Sequence, residues 1–149
     1  MDLTLVNCTR ADRTVLRRLL ELYEHDFSEF DGRDVDAHGE YGYRYLSQYF
    51  TDPSRHAYLF KVEGAWAGFA LIDTGPPVDI AEFFVMRKYR RRGLGTLAAH
   101  RLFERYPGKW RIRQMVTNRG ATEFWRRAIP APYTESADGG EVAQEFEVL

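Results

Sequence analysis

Residues 78–117 constrain this chain more than any other stretch. Val78 to Met86 carries apolar residues at both alternating positions, the pattern of a strand covered on both faces. Arg87-Lys88-Tyr89-Arg90-Arg91-Arg92 follows, almost wholly basic, and Gly93-Leu94-Gly95-Thr96 then opens a helix. That helix places Leu94, Leu97, Ala98 and Leu102 on one side and ends at Pro107-Gly108. Residues 109–117 read as a strand in which Trp110, Ile112 and Val116 alternate with Arg111, Arg113 and Met115. Strand, helix and strand in succession predict a parallel pair joined by a right-handed crossover. A parallel pair needs helices over both faces, which excludes all-α and all-β folds.

The flanking segments complete the same architecture. Leu3, Leu5 and Val6 form a short first strand. Asp12 caps a helix whose stripe is Val15, Leu16, Leu19, Leu22, Tyr23, Phe27 and Phe30. Residues 31–42 form a loop holding Gly32, Gly39 and Gly42. A second helix is expected over about 43–50, with Tyr43, Tyr45, Leu46, Tyr49 and Phe50, stopped by Asp52-Pro53. Runs 56–62 and 66–73 around Glu63-Gly64 predict an antiparallel hairpin. Another helix starts near Asn118, buries Ala121, Phe124, Trp125 and Ala128, and stops before Pro130. Two last strands, near 132–137 and 141–148, flank Asp138-Gly139-Gly140. The order is β-α-α-β-β-β-α-β-α-β-β, an α/β fold with a mixed sheet. The 149 residues suit one domain spanning 1–149.

Charge is segregated along the chain. Residues 1–86 hold 8 basic and 15 acidic side chains, residues 87–132 hold 13 and 2, and residues 133–149 hold none and 5. A basic centre in an acidic body suggests a polyanionic ligand at one place and a cationic one elsewhere. Cys8 is the only cysteine, which excludes an intrachain disulfide and a multi-thiolate metal site. His25, His38, His56 and His100 never stand three or four residues apart, so no helix face carries a histidine pair for a metal. No apolar run approaches a membrane span, and the first residues lack the pattern of a signal peptide, so a cytoplasmic protein is expected.

The glycine-headed helix after a strand is an anion site by construction, because free N–H groups and the positive helix end converge there. A Walker loop is absent. Gly93-Leu94-Gly95-Thr96-Leu97-Ala98 fits the dinucleotide fingerprint, but no acidic residue lies between Glu104 and Glu123 to hold a ribose. Arg90-x-x-Gly93-x-Gly95, after a strand ending in Val85, resembles instead the coenzyme-A signature of the GNAT family of N-acetyltransferases. Asn118-x-x-Ala121-x-x-Phe124-Trp125 is similar to that family's second signature, and the element order matches over nearly the whole chain.

The resemblance implies acetyl-CoA as cofactor and acetyl transfer to a primary amine of a small molecule or protein, by direct attack on the thioester. Backbone amides of Arg91, Arg92, Gly93, Leu94, Gly95 and Thr96 would hold the pyrophosphate, with Arg87 and Arg90 meeting phosphates. The main chain of Phe83, Phe84 and Val85 would pair with the pantetheine arm, and an N–H near Val85 would polarise the thioester carbonyl. Asn118 would approach the arm from the other side. Members of the family often dimerise, so a homodimer is among the expected states.

Glu82 is the candidate base, acting through water. It is the only carboxylate in Ile80–Met86, where burial would raise its pKa; the competing reading is a structural carboxylate paired with an arginine. The family's usual general acid, a tyrosine, is replaced by Trp125, which leaves Tyr133 or an unassisted thiolate. For the acceptor, Asp26, Glu29, Asp31, Asp34, Asp36 and Glu40 beside Tyr41, Tyr43 and Tyr45 suit a cationic amine. A non-catalytic acyl-CoA-binding module is the first alternative, and a nucleic-acid-binding domain using the basic 87–127 segment the second. No nucleic-acid or membrane partner is expected.

Overall fold

The computed structural model describes residues 2–149. In chain order the elements are β1 (Leu3–Asn7), α1 (Arg13–Asp31), α2 (Gln48–Thr51), β2 (Arg55–Val62), β3 (Ala65–Asp73) and β4 (Val78–Val85). Then follow α3 (Leu94–Arg105), β5 (Gly108–Met115), α4 (Arg119–Ala128), β6 (Tyr133–Asp138) and β7 (Glu141–Val148). The strands form one mixed sheet in the order β1-β2-β3-β4-β5-β7-β6. Its one parallel pairing, β4 with β5, is the pair expected from the crossover, and its register holds only at Val78↔Trp110 and Asp79↔Arg111. Beyond Asp79 the two strands part.

Alternation on the central strands fills a core on each face. Tyr58, Phe60 and Val62 of β2 point to the side of α3 and α4, where they join Leu94, Ala98, Leu102, Trp110 and Trp125. Ala57 and Leu59 point the other way, against Leu16, Leu19 and Leu20 of α1 and Tyr49 of α2. Phe103 meets Trp110 edge-on with 4.9 Å between centroids and Phe146 at 5.4 Å, an aromatic knot under α3.

Three expectations need correction. Residues 43–50 do not form a helix; only Gln48–Thr51 is helical. The N–H groups of Leu46, Gln48, Tyr49 and Phe50 each bond three residues back, which makes a chain of turns, and Gly42 enters it in the left-handed conformation. So short a segment takes its shape from where its aromatics pack. In α1 the buried face runs through Leu20, and Leu22, two residues on and so nearly opposite, is 49% exposed. β5 ends at Met115, leaving Val116 exposed, and the inward position after Ile112 is Gln114. Its buried amide is satisfied by Gln144 in two bonds of 2.7 and 3.1 Å.

Gly68 of β3 has no room for a side chain, since a Cβ there would stand 2.0 Å from the Phe84 carbonyl oxygen of β4. Gly68→Ala is expected to lower stability by about 1–3 kcal/mol, as overpacking against backbone does. Urea unfolding measures this; an unchanged midpoint would show that β3 and β4 are not held this close.

Candidate active site

Where β4 and β5 part, a cleft of about 970 Å³ opens between the C-terminal half of α1, the β4–α3 turn and the start of α4. Of the residues read from sequence as cofactor-binding, Phe83, Phe84, Val85, Arg90, Arg91, Gly93, Gly95, Thr96 and Asn118 line it. Arg92 and Leu94 do not; Arg92 is exposed and Leu94 is buried in the core beneath α3. Gly93, the N-cap of α3, has φ +75°, and Arg91 is one of the few non-glycine residues with positive φ, at +62°. A left-handed residue other than glycine costs roughly 1–2 kcal/mol. Two left-handed residues so close curl the chain into a concave run of N–H groups at the positive end of a helix, the shape that holds an anion.

The two glycines of the motif serve different ends. A Cβ on Gly93 would meet open space, so the backbone angle alone requires glycine there. A Cβ on Gly95 would stand 3.0 Å from the Phe124 ring and 3.6 Å from Val85, so this glycine lets α3 approach α4 and β4. Asn118 caps α4, accepting the Ala121 N–H at 3.2 Å while it lines the cleft.

The arginines read as phosphate ligands already have a partner. Asp26 of α1 accepts from Arg87 at 2.8 Å and from Arg90 at 2.6 Å, and Arg90 Nε donates to the Val85 carbonyl at 2.7 Å. Burial disfavours the Asp26 charge, but the two guanidinium groups outweigh it and hold the carboxyl below its ordinary value. The Met86 N–H donates to Ala67 of β3, so alternation turns the main-chain groups of Val85 the other way, into the splay. Arg90 takes the Val85 carbonyl there, leaving the Val85 N–H facing the cleft.

Glu82 does not line the cleft. Its carboxylate accepts a 2.7 Å hydrogen bond from the Tyr23 hydroxyl, and burial raises its pKa against the opposing effect of Tyr23 and Tyr43. The arginine partner considered from sequence is not what holds it; Arg33 pairs with Glu24 and Asp31. Trp125 is 5% exposed and packs edge-on to Phe83 and Phe124, with centroids 5.0 and 4.8 Å away. Tyr133 stands exposed on the edge strand β6, away from the cleft. Of the six acidic residues read as an amine pocket, only Asp26 and Glu29 reach the cleft. Asp36 caps its own loop, accepting from the N–H groups of His38 and Glu40, and Glu40 pairs with Arg17 at 3.4 Å. Among the described residues no group of three or more potential ligands could hold a metal, and no helix is long and apolar enough to cross a membrane.

The model of the acetyltransferase (GNAT) family matches residues 16–129, which takes in most of α1, the splay and both signatures. The chain belongs to the GNAT acetyltransferase family. An acetyltransferase from Thermus thermophilus superposes with a TM-score of 0.80 at 20% identity, covering 99% of this chain and 98% of that one. PaiA N-acetyltransferase from Thermoplasma acidophilum, solved with coenzyme A, gives 0.68 at 10% identity, covering 99% of each chain. Spermidine N-acetyltransferase from Vibrio cholerae, solved with CoA and spermine, gives 0.68 at 11%, covering 96% and 92%. These likenesses are of fold. No curated protein matches the chain in sequence.

Within this GNAT chain, sequence reasoning missed two residues that shape the cleft. Tyr23 reads from sequence only as part of the α1 stripe, and Asp26 only as one acid among six. Their partners are 59 to 64 positions away, beyond any local pattern. Asp26→Asn is expected to cost about 1 kcal/mol, the scale of a part-exposed ion pair. Because the folded carboxyl has a lowered pKa, that contribution is present above the ordinary carboxylate value and fades as pH falls through the folded one. Denaturation of wild type and variant should therefore differ at pH 7 and converge in acid.

Proposed function

We propose that this GNAT acetyltransferase binds acetyl-CoA in the splay and transfers the acetyl group to a primary amine. The observation that carries the reading is the parting of β4 and β5 at a turn of left-handed Arg91 and Gly93, on a cleft that both family signatures line. The residues fit the coenzyme. The concave amides of the β4–α3 turn suit a pyrophosphate, and the unpaired edge of β4 suits an extended arm bearing amides. Bound acetyl-CoA supplies an acetyl group activated as a thioester.

The work is divided among the chain's own residues. Amides from Arg91 to Thr96 hold the pyrophosphate, and main-chain groups of Phe83 and Val85, which alternate away from β3, orient the arm. The Val85 N–H polarises the acetyl carbonyl, a donor position worth about 10²–10³ in rate where measured elsewhere. Glu82, its pKa raised by burial, receives the proton that the amine must lose. Arg90 acts through Asp26 and Val85 rather than on phosphate. The structurally similar spermidine enzyme, solved with spermine, makes polyamines one acceptor class to test. Trp125, in place of a proton-donating tyrosine, favours a second reading, an acyl-CoA-binding module without turnover.

Calorimetry with coenzyme A, followed by thiol release from acetyl-CoA with spermidine, tyramine and a peptide N-terminus, separates the two. Binding with turnover of any acceptor supports the transferase. Binding without turnover supports the module, and no binding removes both. Gly93→Val and Gly95→Val should each weaken coenzyme A binding at least tenfold; unchanged affinity refutes the pyrophosphate placement. Glu82→Gln should slow transfer by about 10²-fold or more and remove the acidic limb of the pH profile. That limb is expected above the ordinary carboxylate range, with rate falling as pH drops through it, because only the ionised carboxylate accepts the proton.

A further inference from the structure

Glu82 does not itself line the cleft. It lies behind β4 on the α1 side, and among the residues that line the cleft Tyr23 is the one that hydrogen-bonds it. The tyrosine is tightly positioned. Its ring meets Phe69 and Phe84 edge-on, with centroids 5.5 and 5.8 Å apart, and tilts against Phe27 at 5.7 Å. The Tyr23 ring packs on Phe84, the residue before Val85 in β4. Tyr23 thus spans from the cleft wall to the half-buried carboxylate, and α4 offers only the indole of Trp125 where a proton donor would stand.

Resting on the reading of Glu82 as base, we propose that Tyr23 is the catalytic residue that touches the acceptor amine and relays its proton to Glu82. As the amine nitrogen bonds to the acetyl carbon, its proton moves to Tyr23 Oη while the Tyr23 proton moves to Glu82 Oε1. The C–S bond breaks with its electron pair on sulfur. The proton held by Glu82 then returns through Tyr23 to that thiolate, so amine and thioester become amide and thiol with both residues restored. The same pair serves as base and acid, which removes the need for a tyrosine at position 125.

The surroundings of the pair favour coupled transfer. Burial and the nearby Glu82 carboxylate push the Tyr23 hydroxyl well above its ordinary pKa, so it does not persist as phenolate and passes a proton only as it gains one. The charged and titratable groups facing the pair are Asp31 from α1, Arg33 and Tyr43 from the loop after it, Tyr49 from α2 and Asp79 from β4. Leu71, paired with Glu82 on β3, is apolar.

Tyr23→Phe keeps the ring and removes the relay. With whichever of spermidine, tyramine and the peptide N-terminus the wild type acetylates, kcat should fall about 10²-fold or more, the acidic limb should disappear as in Glu82→Gln, and the KM for acetyl-CoA should stay within about threefold. Glu82→Gln slow while Tyr23→Phe keeps its rate and pH limb overturns the relay and leaves Glu82 as base through water. Both variants active removes the base reading and the relay together, as does a wild type that acetylates none of spermidine, tyramine and the peptide N-terminus. Should Tyr23→Phe fail to fold, single turnovers of the wild type in H2O–D2O mixtures decide. Two protons in flight give a curved dependence on deuterium fraction, and a straight line overturns the relay.

Discussion

The brief parallel contact between β4 and β5 organises everything around it. Two registered positions hold the strands together at one end, with Asp79 bonded to Arg113 at 2.8 Å just where pairing stops. From there β4 keeps its antiparallel partner β3 on one edge and has nothing on the other. A strand edge with free main-chain groups inside a sheet is costly unless something satisfies it. In this protein the Val85 carbonyl is satisfied by Arg90, and the other main-chain groups on that edge look into the cleft.

Charge ties the two walls of that cleft together. Asp26 joins α1 to the β4–α3 turn through two arginines, and Arg90 passes the tie on to β4 itself. The segregation of acidic and basic blocks along the chain therefore has an internal use: part of the basic block is neutralised by the acidic one across the site. Arg91 stands outside that pairing and lines the cleft. The acidic loop after α1 likewise turns Glu40 to Arg17 and Asp36 to its own backbone, and Asp31 at the end of α1 faces Arg33, none of them the cleft.

Much of the fold was legible because it follows from local rules. Two runs around Glu63-Gly64 placed β2 and β3, apolar residues on both faces placed β4, alternation placed β5, a turn of Asp138-Gly139-Gly140 placed the last hairpin, and Gly-x-Gly after a buried strand placed the start of α3. The errors share one cause. Residues 43–47 are too few to nucleate a helix against their packing, Leu20 replaces Leu22 because the sheet selects which side of α1 is buried, and Gln114 goes inward because Gln144 awaits it. Each outcome belongs to a neighbour distant in sequence.

Local chain chemistry was enough for the family, the strand–turn–helix unit and the two glycines, since those depend on backbone angles and on residues within a few positions. It took the folded molecule to show that Arg90 faces Asp26, that Gly95 makes room for Phe124, and that Glu82 meets Tyr23 in place of an arginine or the cleft. Backbone conformation is set over a turn or a strand, whereas the partner and protonation of a buried charge are set by whichever side chains the fold brings within about 3 Å of it.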